Sequence, residues 1–99
     1  MNHKINLALQ VLPTATGKDS YALVDKAIEI IKRSGLNYRV CPFETVIEGY
    51  YDELMELVKK VHEACYAAGT ETMMTYIKIQ SSAQSHVTID DKMEKYDNE

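Results

Sequence analysis

Two stretches of helical periodicity constrain this chain more than any other feature. Each is closed by a glycine, and each is entered from and left into a segment of period two. In the first, Leu23, Val24, Ala27, Ile28 and Ile31 recur at spacings of three and four, which places one apolar stripe along a helix. Asp19 or Ser20 stands at its expected N-cap. Lys32 and Arg33 fall in its last turn, where cations suit the negative helix end, and Gly35 follows as the left-handed cap. In the second, Leu54, Leu57, Val58, Val61, Ala64, Cys65 and Ala68 form the stripe, Asp52 is the expected cap and Gly69 the stop.

The flanking segments read as strands. Residues 3–12 alternate, with Ile5, Leu7, Leu9 and Val11 on one face and Asn6, Ala8 and Gln10 on the other, until Pro13. Tyr38–Cys41 and Thr45–Ile47 are short, β-branched or aromatic runs separated by Pro42. Thr72–Gln80 alternates again, with Met73, Thr75, Ile77 and Ile79 on one face. The order is βαββαβ. With right-handed crossovers this predicts an α+β, ferredoxin-like sandwich: an antiparallel four-stranded sheet with two helices on one face. Residues 1–99 form one domain, of which 81–99 are a polar tail. Within that tail Thr88–Tyr96 has the spacing of a short helix, too short to persist alone, so it must dock or fray. No helix remains for the second sheet face, where Ala8, Val40, Val46, Met74 and Tyr76 are expected. An apolar sheet face left open points to a partner subunit or a ligand.

The net charge of −4 lacks the basic surface that phosphate backbones require, so no nucleic-acid partner is expected. No apolar run approaches the roughly 20 residues of a membrane span, and the N-terminal stretch lacks a signal-peptide cleavage site. A cytoplasmic chain is expected, with Cys41 and Cys65 reduced.

Glu48 is the oddity of the third strand. It is a carboxylate in an apolar run, directly before Gly49 and with Tyr38, Tyr50, Tyr51 and Tyr76 as candidate neighbours. Either it grips a cationic or amine-bearing guest, or it pairs across strands with Lys78 or Arg39. Thr45 is also a good strand residue, Ser20 a helix cap, and Tyr38 sheet packing. Gln10 can face a ligand or a neighbouring subunit. His62 and Cys65 lie three apart on one helix face, but no third ligand stands near them in sequence, so no metal is expected.

Three segments together carry a resemblance: Ser34–Gly35–Leu36 with Tyr38, Pro42 with Thr45–Val46–Ile47–Glu48–Gly49, and His62 seven residues before Gly69. The chain resembles the small YkoF-like thiamine-binding proteins, the UPF0045 family, from about residue 4 to residue 80. The resemblance implies a ferredoxin-like protomer, homo-oligomers that are usually tetramers, and binding of thiamine or its hydroxymethylpyrimidine part without chemistry. Thr45, Glu48 and Gly49 match the family motif, Tyr38 its usual aromatic, and Ser20 its small hydroxyl residue. Glu44 replaces the family's usual glycine, and Gln80–Ser81–Ser82 replaces its usual aspartate and arginine.

Thiamine presents an aminopyrimidine edge, a flat aromatic face and a cationic thiazolium. A site for it needs acceptors, a hydroxyl or N–H, rings for stacking and negative charge. The expected contacts are Glu48 and Thr45, then Tyr38, Ser20 and Gln10. No cofactor, catalytic residue or membrane contact is expected. Two other readings compete: a small oligomeric enzyme using His3, Glu48 or His62 as base, and an assembly module without a small-molecule ligand.

Overall fold

In the computed structural model, which describes residues 2–97, the elements are β1 (Ile5–Thr14), α1 (Ser20–Arg33), β2 (Asn37–Val40), β3 (Thr45–Gly49), α2 (Tyr51–Ala67), β4 (Thr72–Gln80) and α3 (Ile89–Asp97). The four strands form one sheet in the order β2–β3–β1–β4, every pair antiparallel. This is the expected ferredoxin-like arrangement. No helix among the described residues is long and apolar enough to cross a membrane.

The period-two faces of β1 decide the layering. Ile5, Leu7, Leu9 and Val11 are all buried, facing Ala27 and Ile31 of α1 and Leu54, Leu57, Val58, Val61 and Cys65 of α2. Each helix buries only its stripe. Asp19 caps α1, its Oδ1 accepting from the Tyr21 N–H at 3.0 Å. The helix ends at Gly35, whose φ of +76° suits a residue without Cβ.

Two boundaries differ from the sequence expectation. β1 runs through Pro13 to Thr14, because the missing N–H costs nothing on a side where no strand lies. α2 starts earlier than Asp52: Tyr50 is the N-cap residue, and Glu53 reaches back to accept its N–H at 2.8 Å. The second sheet face is also not bare. Segment 82–88 and α3 fold back across its β1–β3–β2 half. On the rest of that face Leu12, Met74 and Tyr76 are exposed. Val40 pairs with Thr45 and so lies on the helix side, not on this face.

Gly49 joins β3 to α2 in a crowded corner. A Cβ there would lie 2.8 Å from Glu53 Oε1 and 3.3 Å from Leu54 Cδ2. Gly49→Ala is therefore expected to displace the capping carboxylate and lower stability by about 1–3 kcal/mol, read as a shifted urea midpoint with an unchanged slope.

Candidate functional site

Of the five residues singled out from sequence, Ser20 begins α1 and the other four divide between the two faces of the sheet, Thr45 and Tyr38 on one and Glu48 and Gln10 on the other. Side chains alternate along a strand, so positions three apart point in opposite directions. Thr45 shares the helix-covered face with Ile47, whereas Glu48 shares the other face with its partners Asn6 and Asn37.

Glu48 is half-buried, and among the described residues it forms no ion pair. Its Oε1 accepts the Ile89 N–H at 2.7 Å. Beside it, Asn6 Nδ2 donates to the Val87 carbonyl at 3.0 Å, and Val87 N–H donates to the Lys4 carbonyl at 2.9 Å. The two polar residues in otherwise apolar strands thus hold the incoming C-terminal segment. The first N–H groups of a helix lack internal partners, and the dipole there favours an anion. Glu48 answers both, with Thr88 Oγ1 accepting from the Asp91 N–H at 3.1 Å. At the far end of α3, Arg39 meets Asp97 through two hydrogen bonds of 3.0 and 2.6 Å. That hydrogen bonding holds the Asp97 carboxyl below the usual 3.8 and raises Arg39 above its ordinary value. Lys78, the other cross-strand candidate for Glu48, instead lies 3.4 Å from Glu44.

Thr45 and Gln10 border a cavity of about 340 Å³. Its origin is a mismatch in strand length. Leu9 opposite Thr45 is the last rung between β1 and β3, yet β1 continues five residues further. The β2–β3 turn, closed by a Cys41 N–H to Glu44 carbonyl bond of 2.9 Å, stands away from that extension. α1 roofs the gap with Val24 and Ile28. Because no strand fills it, residues of both sheet faces border it. Val11 and Thr45 come from the helix side, Gln10 and Leu12 from the open side.

Two aromatic rings flank this cavity, Tyr21 and Phe43, 81% and 82% exposed. Two carboxylates, Asp25 and Glu44, border it, and among the described residues no lysine, arginine or histidine does. Rings and acids without a cation suit a flat, positively charged guest. A second cavity, about 370 Å³ between α1 and α2, mixes Arg33 and Lys60 with Glu53 and Glu56 and has no aromatic lining.

Tyr38 and Ser20 do not border the 340 Å³ cavity. Tyr38 pairs with Ile47 and packs against the core. Ser20 is the exposed first residue of α1, its capping task taken by Asp19. Tyr21, Asp25 and Phe43 were not singled out from sequence. The available signal was an aromatic off the apolar stripe of α1 and another in a turn after Pro42. The two helix-face candidates are engaged within the fold: His62 Nε2 shares a 2.7 Å hydrogen bond with the Thr75 hydroxyl, and the Cys65 sulfur reaches the Leu23 carbonyl at 3.7 Å. Burial pushes the Cys65 thiol up.

The profile of the family described as "Thiamine-binding protein" matches residues 7–97. A UPF0045 protein from Clostridium perfringens is 40% identical over 91 residues, covering 92% of this chain and 95% of that protein. A UPF0045 protein from Methanothermobacter thermautotrophicus is 34% identical over 92 residues, covering 91% and 93%. Among solved structures, a domain of unknown function from Bacillus cereus superposes with a TM-score of 0.90 at 42% identity, covering 95% of this chain and 90% of that one. A Thermotoga maritima protein, described as a candidate for thiamine biosynthesis or salvage, superposes with a TM-score of 0.84 at 28% identity, covering 94% and 98%.

Glu48→Ala is expected to loosen α3 without disturbing the core. Amides of 89–97 should exchange faster, by about the 1–3 kcal/mol of a lost charge-assisted bond, while those of β1 keep their protection. The Asp97 contact carries its own pH dependence. Its folded carboxyl titrates below 3.8, so its contribution is complete above that pH and is lost as pH falls through the lowered value. Exchange of the α3 amides, corrected for intrinsic rates, should stay flat down to about pH 4 and rise below it in a form that Asp97→Asn abolishes.

Proposed function

The chain belongs to the thiamine-binding protein family, and from that membership we propose that it binds thiamine, or its hydroxymethylpyrimidine part, in the cavity between α1 and the β2–β3 turn, and does not transform it. The observation that carries this reading is the pairing of Asp25 and Glu44 with Tyr21 and Phe43 around a space that no basic residue borders among those described. A volume of about 340 Å³ lies in the roughly 300–1,000 Å³ range of small-molecule sites. Thr45 and Gln10 offer a hydroxyl and an amide to the pyrimidine, while the carboxylates and rings hold the thiazolium. The Thermotoga maritima likeness favours a role in thiamine salvage. We place the activity in the cytoplasm, where both thiols stay reduced, and in a homo-oligomer, a tetramer by the family pattern. The exposed strip of Leu12, Met74 and Tyr76 is the surface a second copy would cover.

Calorimetry on the purified chain tests the reading. Thiamine should bind and be recovered unchanged. Phe43→Ala should weaken binding by about 0.5–2 kcal/mol, the range of a ring facing a cation. Asp25→Asn should weaken it too, and more at low salt than at high. Both side chains are exposed, so thermal stability should hardly move. No heat with either thiamine or hydroxymethylpyrimidine rejects the function; full affinity in both variants moves the site elsewhere.

A further inference from the structure

We propose that the free backbone edge of β1 at Val11 is the element that selects an amino-substituted pyrimidine, with its N–H meeting a ring nitrogen and its C=O meeting the exocyclic amine. The proposal rests on the cavity being the thiamine site.

The direction of that edge follows from the ladder. Glu71 N–H donates to the Thr14 carbonyl at 2.9 Å, so the Thr14 carbonyl points toward β4. Along a strand the N–H and C=O of one residue point to one side, and those of the next residue to the other. The even positions of β1 therefore face β4, and the odd positions face β3. Ile5, Leu7 and Leu9 stand opposite Gly49, Ile47 and Thr45 on that side. Val11 and Pro13 come next, and β3 has already ended. Pro13 agrees with this phase, because its missing N–H falls where the β4 ladder asks for no donor. One N–H and one C=O of the same residue are thus left facing the cavity that Val11 borders.

Val11 is only 7% exposed. A backbone donor and acceptor held this deep incur a cost when unpaired, and a guest that returns both bonds recovers it. The carboxylates of Asp25 and Glu44 accept hydrogen bonds but, when ionised, donate none. They recognise positive charge and cannot tell one pyrimidine edge from another. The Val11 edge can, because it presents a donor beside an acceptor in a fixed order. A 4-aminopyrimidine presents the matching order, ring nitrogen as acceptor beside amine as donor. A 4-oxopyrimidine reverses it, N–H beside carbonyl oxygen. It fits the same edge only when turned over, which swings its thiazolium arm away from the acids and Phe43.

Amide spectra of the ¹⁵N-labelled chain, titrated with thiamine, its 4-oxo analogue and the hydroxyethylthiazole fragment alone, test the assignment without a substitution in the core. Thiamine should move the Val11 amide downfield and slow its hydrogen exchange, and the thiazole fragment should leave it in place. Calorimetry should show the oxo analogue binding about tenfold or more weakly, as expected when a pair of hydrogen bonds is mismatched. Thiamine binding with the Val11 amide unmoved overturns the backbone assignment and leaves the proposed function standing; so do equal affinities for the amino and oxo forms. Absence of thiamine binding altogether overturns the proposed function, and this inference with it.

Discussion

The unequal length of two neighbouring strands governs what this molecule can do. β1 spans ten residues and β3 five, so their ladder stops at Leu9 and Thr45. A sheet whose strands all matched would close this edge with main-chain hydrogen bonds and leave no space below α1. Here the sheet core is complete, with Leu7 and Ile47 fully buried, and one end is open. The fold can tolerate the opening because β1 is anchored from Asn6 to Thr14 by β4 on the other side. Its stability does not depend on the missing rungs, so the unpaired edge is left for another use.

The second sheet face solves a different problem. A ferredoxin-like sheet covers one face with its two helices and exposes the other. Here the C-terminal segment covers half of that other face, and polar side chains rather than apolar packing fix it. Asn6 takes the Val87 carbonyl and Glu48 the Ile89 N–H, with Arg39 and Asp97 closing the far end. Directional bonds set where α3 sits, while Val87 and Ile89 supply buried apolar area. Exposed ion pairs are weak, so the Glu48 bond at the half-buried start of α3 contributes more than the ion pair at its end.

The architecture was legible because it rests on local signals: period two in β1 and β4, period three and four in α1 and α2, and glycines at the two helix ends. Less local features were not. The reason for Glu48 lies 41 residues away in Ile89, and the reason for Asn6 lies 81 residues away in Val87. A polar residue in a strand announces that it has a partner without naming it. One part of the site was readable and runs against a single cluster. Thr45 and Glu48 are an odd number of positions apart in one strand, so within the sheet they stand on opposite faces; only past a strand end, as at the cavity, do residues of both faces meet one space. The cavity itself was hidden, since it depends on where β3 begins relative to β1. A register of that kind emerges only from the assembled sheet. The same holds for Tyr21 and Phe43, which look like surface accidents until α1 and the β2–β3 turn are brought face to face.

The charge at the cavity mouth follows from this geometry. Asp25 comes from α1 and Glu44 from the turn, so folding itself brings two acids to one opening. Lys78 relieves Glu44 from outside the cavity, at 3.4 Å and with its own side chain 75% exposed, while among the described residues Asp25 makes no ion pair. In a chain already at −4, such a pair opposes compaction slightly. The same two charges favour a cation and disfavour an anion of identical shape. Discrimination of this kind comes from repulsion as much as from attraction. A phosphorylated thiamine would bring its negative groups toward Asp25 and Glu44, with no lysine, arginine or histidine among the described lining residues to receive them. With the cavity taken as the proposed thiamine site, the electrostatics of the opening favour the free vitamin over its phosphate esters, independently of how the pyrimidine is held.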